Sequence, residues 1–144
     1  MIEQDTIKLL RECDAGVQMG VESIDEVMKS VKSDGLRSVL IQCRKGHLLL
    51  EREIREALDR FGDKGKEPDP MAEKMSWLKT NVKLMVDSSD ETVADLMTDG
   101  CNMGMKSLNR YLNQYSAASE DAKNIAKKLI HEERRLTESV AAFL

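Results

Sequence analysis

The sequence predicts an all-α protein, a four-helix bundle of two antiparallel hairpins joined by a long crossover that carries one shorter helix. Two observations support this fold class. Apolar residues recur every three or four positions along most of the 144 residues, which is the period of an amphipathic helix. Aromatic residues make up only 3% of the chain, so strand-based folds, which favour aromatic and β-branched residues, are not expected.

Composition narrows the classes of function. The chain is 41% apolar and 33% charged, which is too apolar for a disordered protein and too charged for a membrane protein. Its net charge of −4 does not favour nucleic-acid binding, because phosphate contacts need a basic surface. The stretch from Met1 to Leu10 carries Glu3 and Asp5 and lacks the pattern of a secretory signal. We therefore expect one cytoplasmic domain over 1–144, with neither a membrane nor a nucleic-acid partner.

The first hairpin is predicted from two long apolar stripes. The first helix spans about 6–32, and Asp14 fills the one gap in its stripe. The residues of this stripe are Ile7, Leu10, Val17, Val21, Ile24, Met28 and Val31. Asp34 is expected to cap the second helix, which spans about 36–61 and has a stripe from Leu36 to Phe61 that includes His47.

The second hairpin follows a polar, glycine-rich loop and a shorter helix over about 70–86, which Asp69 and Pro70 are expected to begin. Ser88 and Glu91 have the spacing of a capping box and are expected to open the fourth helix, over about 89–115. The fifth helix spans about 120–143. Because the links inside each hairpin are short, the helices of each pair are expected to be antiparallel neighbours.

The two hairpins resemble each other at an offset of 84 residues. Residues 16–24 and 100–108 are identical at four of nine positions, and the same offset aligns His47 with His131. Outside this block the similarity is weak. A duplicated hairpin would give the bundle a pseudo-two-fold symmetry.

Paired long helices, a crossover and a pseudo-two-fold relation resemble the ferritin-like superfamily, in particular its small bacterial families of unknown function. The resemblance covers about residues 6–144. For members with two iron ions it implies a Glu on the first helix of each hairpin and a Glu-x-x-His motif on the second. Here Arg44 and Lys128 stand three positions before His47 and His131, where the motif has its glutamates.

The first helices of the hairpins do not offer ligands either. At the level of the two histidines they are expected to carry Gly20 and Gly104, which have no side-chain oxygen. The chain is therefore expected to lack an intact di-iron site, and no catalytic or cofactor-binding residue is predicted. The function expected first is that of a non-catalytic structural or protein-binding module.

The alternative is a metal-binding ferritin-like protein, such as an oxidase or a protein of peroxide stress or iron handling. Iron or manganese would then lie in a non-standard site made by His47, Glu51 and Glu132, with Glu133 beside it. The helical phase turns His131 away from this site. The other interpretation of His47 is a core imidazole whose nitrogens are satisfied by hydrogen bonds.

Five glycines lie inside predicted helices, where each costs about 1 kcal/mol relative to alanine. These are Gly16, Gly20, Gly46, Gly100 and Gly104. Something is expected to approach closely there: another helix, a partner subunit or a flat cofactor. We expect a homodimer through a face that contains glycine and methionine.

The three cysteines, Cys13, Cys43 and Cys101, have neither disulfide-framework nor zinc-site spacing. They are expected to be buried, reduced thiols. Redox sensing through Cys43 or Cys101 is the alternative, and it requires a thiol that reacts under native conditions.

Overall fold

The computed structural model describes residues 2–66, 84 and 86–144, and the regular structure in these residues is entirely helical. The four long helices are α1 (Ile2–Met28), α2 (Asp34–Asp59), α3 (Asp90–Gln114) and α4 (Glu120–Val140), and a 3₁₀ turn follows at Ala141–Phe143. The prediction of an all-α bundle is confirmed. The shorter helix predicted over 70–86 lies outside the described residues, apart from Leu84 and Val86, which are helical.

The four helices pack in a closed ring in the order α1, α2, α4, α3. The helix α1 packs against α2 and α3, α4 packs against the same two helices, and α1 also contacts α4 across the centre. The start of α3 lies at the turn between α1 and α2, because the Asp90 carboxylate accepts hydrogen bonds from the backbone N–H of Lys32 (2.8 Å) and Ser33 (3.0 Å). The end of α2 and the start of α3 therefore lie at opposite ends of the bundle.

The opposite end of the bundle is closed by the turn between α3 and α4. There the backbone N–H of Ala117 donates to Asp5 (3.0 Å), and that of Ser119 donates to the Thr6 hydroxyl (2.8 Å). Together the two ends fix the directions of the helices. Each helix is antiparallel to both of its neighbours, and α2 and α3 run parallel across the diagonal.

Serines begin three of the helices. In each case the hydroxyl of an extended residue accepts a backbone N–H from the first turn, which satisfies one of the free donors at a helix start. These serines are Ser33, Ser89 and Ser119. The predicted caps Asp34 and Ser88 are therefore each wrong by one residue. Asp34 instead lies in the first turn of α2, where its charge favours the helix dipole.

The buried stripe of α1 differs from the prediction. Ile7, Val21 and Met28 are only partly buried. The observed stripe alternates in steps of four and three: Thr6, Leu10, Cys13, Val17, Gly20, Ile24, Val27 and Val31. Asp14, which fills the gap in the predicted stripe, is buried as well, but it lies beside the observed stripe and faces the loop after α2. The observed phase differs from the predicted one because Gly20 lies on the stripe but carries no apolar side chain that a sequence pattern would count.

The core consists of two apolar clusters stacked along the bundle. One lies at the end formed by the start of α1 and includes Leu10, Ile54 and Leu129. The other lies at the end of the α1–α2 turn and includes Ile24, Leu40 and Leu136. On each helix one residue of the buried face falls between the clusters: Gly20, His47, Gly104 and Glu133. A polar layer thus crosses the middle of the bundle.

No helix of the described residues combines the length with the apolar character that crossing a membrane requires.

Candidate functional site

The polar layer is built around a buried pair, His47 on α2 and Glu133 on α4. The His47 side chain is fully buried and Glu133 is 7% exposed. The imidazole Nδ1 lies 2.8 Å from the carbonyl oxygen of Cys43, one turn earlier on α2. The imidazole Nε2 lies 3.1 Å from Oε1 of Glu133. Both ring nitrogens therefore have hydrogen-bond partners inside the protein.

The partners determine where the protons lie. A carbonyl oxygen can only accept, so Nδ1 carries a proton and donates it to Cys43. One further proton is then shared between Nε2 and the Glu133 carboxyl. The pair is either an imidazolium and a carboxylate or a neutral imidazole and a carboxylic acid, and both forms keep the same hydrogen bond.

The surroundings of His47 favour its protonated form. Burial alone lowers the pKa of an imidazole, because it penalises the charged form. The hydrogen bond and the negative charge of Glu133 outweigh this effect, and the Cys43 carbonyl and the Glu132 carboxylate act in the same direction. The pKa of His47 is therefore raised above its ordinary value of 6.5.

Two glycines make room for this pair. A Cβ on Gly20 of α1 would lie 2.9 Å from Cδ2 of His47 and 3.5 Å from Oε1 of Glu133. A Cβ on Gly104 of α3 would lie 3.6 Å from Oε2 of Glu133. The carboxylate thus lies between the two first helices of the hairpins, and the thiol of Cys101 on α3 hydrogen-bonds to it.

The structure does not assemble the metal-ligand set considered from the sequence. Glu132 lies against Gly46 at the surface between α2 and α4 and hydrogen-bonds to Arg135 (3.3 Å). Oε1 of Glu51 lies 4.0 Å from Nη2 of Arg55 on the same helix. Across residues 2–66 and 86–144, no group of three or more His, Cys, Asp or Glu side chains is placed to hold a metal ion. His47 is instead a core imidazole with both nitrogens bonded.

Glu133, which the sequence analysis placed beside the candidate site, takes the core position that was assigned to Glu132. Leu129 and Leu136 are seven residues apart, so either Glu132 or Glu133 could fill the place between them. The signal that decides this question is a pair of buried alanines, Ala122 and Ala126. Together with the two leucines they define a helix face at positions 122, 126, 129, 133 and 136, with steps of four, three, four and three. This face contains Glu133 and not Glu132.

Arg44 and Lys128, which stand three positions before the two histidines, form their ion pairs outside the core. Arg44 donates to Asp25 on α1 at 2.7 Å. Lys128 pairs with Glu53 on α2 at 2.9 Å. Both pairs cross between neighbouring helices at the surface of the bundle, so neither cation faces the buried pair.

The internal similarity at an offset of 84 residues holds for the glycines of the site and does not hold for its histidine. Gly20 and Gly104 occupy equivalent places, since each lies beside the buried pair. His47 and His131 do not, because His47 is buried and His131 is exposed on α4. Glu133 takes the place on α4 that His47 takes on α2, so the internal similarity shifts by two residues on the last helix.

Cys43 and Cys101, the cysteines near the site, are buried free thiols with raised pKa values. Burial is the main cause that raises the pKa of Cys101, and the Glu133 charge raises it further. Burial and the charge of Glu132 raise the pKa of Cys43 to about 11. Because the thiolate is the reactive form, neither residue has the surroundings of a redox-sensing cysteine.

Asp14 is part of a second cluster, away from the polar layer. Its carboxylate is 1% exposed and accepts the backbone N–H of Lys66 at 3.0 Å. The Nε atom of Arg55 lies 3.5 Å from its other oxygen. Arg11 also binds Asp63, so this cluster holds the loop after α2 against α1.

Comparison with known proteins gave no match: no family model fits the chain, and neither a curated protein nor a solved structure shows significant similarity to it.

Proposed function

We propose that this protein is a ferritin-like bundle that acts without a di-iron centre, as a structural or protein-binding module. The observation that carries the proposal is the His47–Glu133 pair, which fills the space between Gly20 and Gly104. In a di-iron bundle the four helices supply carboxylates and imidazoles at this level. Here the four positions supply two glycines and one hydrogen-bonded pair.

The helix directions support the ferritin-like part of the proposal. In a ferritin-like bundle a long connection joins the two hairpins, so that the second helix and the third long helix run parallel. The contacts of Asp90 at one end and of Ala117 at the other give this same arrangement.

The donor set does not fit a di-iron centre. Two iron ions need several carboxylate oxygens that bridge them, with imidazoles beside them. Glu133 is the one carboxylate of the polar layer, and one of its oxygens already binds Nε2 of His47. We therefore derive no reaction through iron or manganese at this site.

Elemental analysis tests the proposal directly. The protein is expressed in medium supplemented with iron and manganese, purified without chelators and analysed for metals, alongside His47→Ala and, as a matched control, His131→Ala. We expect substoichiometric metal in all three proteins and reduced thermal stability in His47→Ala alone. Stoichiometric iron or manganese that is lost in His47→Ala and kept in His131→Ala would instead support the metal-binding alternative.

A further inference from the structure

The two hairpins of the bundle can associate face to face in two ways. In the structure α4 lies beside α2, and α3 lies beside α1. Turning the second hairpin end over end, about an axis perpendicular to its inner face, would place α3 beside α2 and α4 beside α1. Both hairpins would stay intact, neighbouring helices would remain antiparallel, and the same apolar faces would be buried. We call these two forms the observed arrangement and the inverted arrangement.

Most of the core does not distinguish the two arrangements. The two stacked clusters consist of apolar side chains, and such side chains pack against many partners of suitable volume. The hairpins also resemble each other at the polar layer, where Gly20 and Gly104 take equivalent places. Residues 60–89 connect α2 to α3, and a chain of this length can reach either end of the bundle.

The polar layer does distinguish them. In the observed arrangement Nε2 of His47 on α2 lies 3.1 Å from Oε1 of Glu133 on α4. In the inverted arrangement α2 would meet Gly104 of α3 at this level, and α4 would meet Gly20 of α1. Neither glycine has a side chain that could replace the lost partner. The imidazole and the carboxylate would both stay buried without their hydrogen bond, which is strongly unfavourable for charged groups.

The contacts at the ends of the bundle distinguish the arrangements less strongly. Asp90 binds the turn between α1 and α2, and Asp5 and Thr6 bind the turn between α3 and α4. The inverted arrangement would break these contacts and the surface ion pair of Lys128 with Glu53. All of them lie in exposed or partly buried places, where water can replace a lost partner. Water cannot do so as readily at the buried pair.

We propose that the His47–Glu133 pair is a conformational device that makes α4, and not α3, the neighbour of α2. The apolar clusters hold the hairpins together, and the pair decides in which arrangement they meet. A buried polar pair can contribute less stability than apolar residues of similar volume and still specify a single structure. The role assigned to the pair is therefore one of specificity, and it goes beyond the absence of a di-iron centre.

Three double variants test this role. The apolar variant combines His47→Leu with Glu133→Met. The exchange variant combines His47→Glu with Glu133→His, which keeps a pair between α2 and α4. The relocation variant combines Glu133→Gly with Gly104→Glu, which moves the carboxylate from α4 to α3. The exchange and relocation variants have the composition of the wild type, so each serves as the matched control of the other.

Zero-length cross-linking reports the arrangement. A carbodiimide can join Lys128 on α4 to Glu53 on α2, because their Nζ and Oε1 atoms lie 2.9 Å apart. It can also join Lys66 to Glu12, whose Nζ and Oε1 atoms lie 2.6 Å apart between α1 and the loop after α2. The second product is the internal reference, since both of its residues belong to the first hairpin and its loop. Mass spectrometry gives the ratio of the two products, and NMR spectra of the backbone amides count the folded forms.

We expect the wild type and the exchange variant to give the same ratio and a single set of amide signals. In the relocation variant the Lys128–Glu53 product is expected to be lost, because α3 replaces α4 beside α2. The apolar variant should lose at least about half of this product and show two sets of signals, since both arrangements are then populated.

Two results would overturn the proposal. One is a relocation variant that keeps the wild-type ratio of the two products. The other is an apolar variant that keeps this ratio and shows one set of signals. If the apolar variant does not fold, as circular dichroism would reveal, the comparison of the exchange and relocation variants still decides the question.

Discussion

Gly20 of α1 lies directly against the imidazole of His47 on α2. A Cβ at this glycine would stand 2.9 Å from Cδ2 and 3.1 Å from Nε2 of the ring. Carbon atoms in folded proteins do not approach so closely, so one of the two groups would have to move. The ring is fully buried and bonded at both nitrogens, which leaves it little freedom to do so.

We therefore predict that Gly20→Ala destabilises the protein. Overpacking of a rigid core site costs about 1–3 kcal/mol, which exceeds the gain of about 1 kcal/mol from the higher helix propensity of alanine. The free energy of unfolding, measured in denaturant, is expected to fall. If His47 turns aside instead, its hydrogen bond to Glu133 is lost, and the unfolding free energy falls for that reason.

Two other glycines provide the controls. At Gly100 a Cβ meets none of the described residues within 4 Å, and at Gly104 the nearest atoms lie at an ordinary 3.6 Å. Alanine at either position is expected to raise the unfolding free energy of the monomer by up to about 1 kcal/mol. Equal stability of Gly20→Ala and Gly100→Ala would contradict the close approach described for Gly20.

The four long helices were predictable because the apolar period persists over many turns. A helix that buries one face repeats its apolar residues every three or four positions, and this signal survives single exceptions. Helix ends were less predictable, since they depend on one hydroxyl. Ser33 and Ser89 each stand beside another residue that can cap a helix, and only the backbone conformation decides between the two.

The site was predictable in part. His47 and the glycines opposite it follow from helix phase and from the levels of paired helices. Glu133 does not follow so readily, because a one-residue error in phase exchanges it for Glu132. Sequence patterns treat glycine and alanine as neutral, yet Gly20, Ala122 and Ala126 are the residues that fix the phases of α1 and α4. Small residues carry little hydrophobic signal, although in a close-packed core they decide which side chains meet.

The stability of the bundle is predicted to depend on pH through His47. Its pKa in the folded protein is raised above 6.5, the value expected in the unfolded chain. The folded state then binds the proton more tightly than the unfolded state does. The stabilisation is complete below pH 6.5 and is lost as the pH rises through the folded pKa. The unfolding free energy of the wild type should therefore fall as the solution is made more alkaline than pH 6.5.

His47→Gln serves to isolate this effect. The variant keeps a polar side chain and lacks the proton, so its unfolding free energy should be lower at acid pH and nearly independent of pH in the same window. His131→Gln should behave as the wild type does, since His131 is exposed. The buried thiols act in the same direction only as the pH approaches their ordinary pKa of 9.0, because burial raises the pKa of Cys43 to about 11 and that of Cys13 to about 12 in the folded state, so the comparison is made at lower pH. A wild-type stability that rises with pH through this range would refute the assignment.

The three cysteines are predicted to react slowly in the native protein. All three are buried, and burial is the main cause of the raised pKa of each thiol. A disulfide reagent should label them only as fast as the bundle opens, and denaturant should release all three at once. Mass spectrometry of partly labelled protein identifies the site. Rapid modification of Cys43 or Cys101 under native conditions would restore the redox-sensing alternative.

The loop that follows α2 is predicted to depend on Asp14. The carboxylate accepts the N–H of Lys66, and at Gly65, where φ is +85°, a Cβ would overlap the carboxylate. Asp14→Ala removes a partly buried hydrogen bond to a charged acceptor, which costs about 1.5–3 kcal/mol. We expect lower stability and faster tryptic cleavage after Lys64 and Lys66. Asp59→Ala, at an exposed position near the end of α2, should change neither. If cleavage in Asp14→Ala is as slow as in the wild type, contacts other than that of Asp14 hold the loop, and the pair of Arg11 with Asp63 becomes the next one to remove.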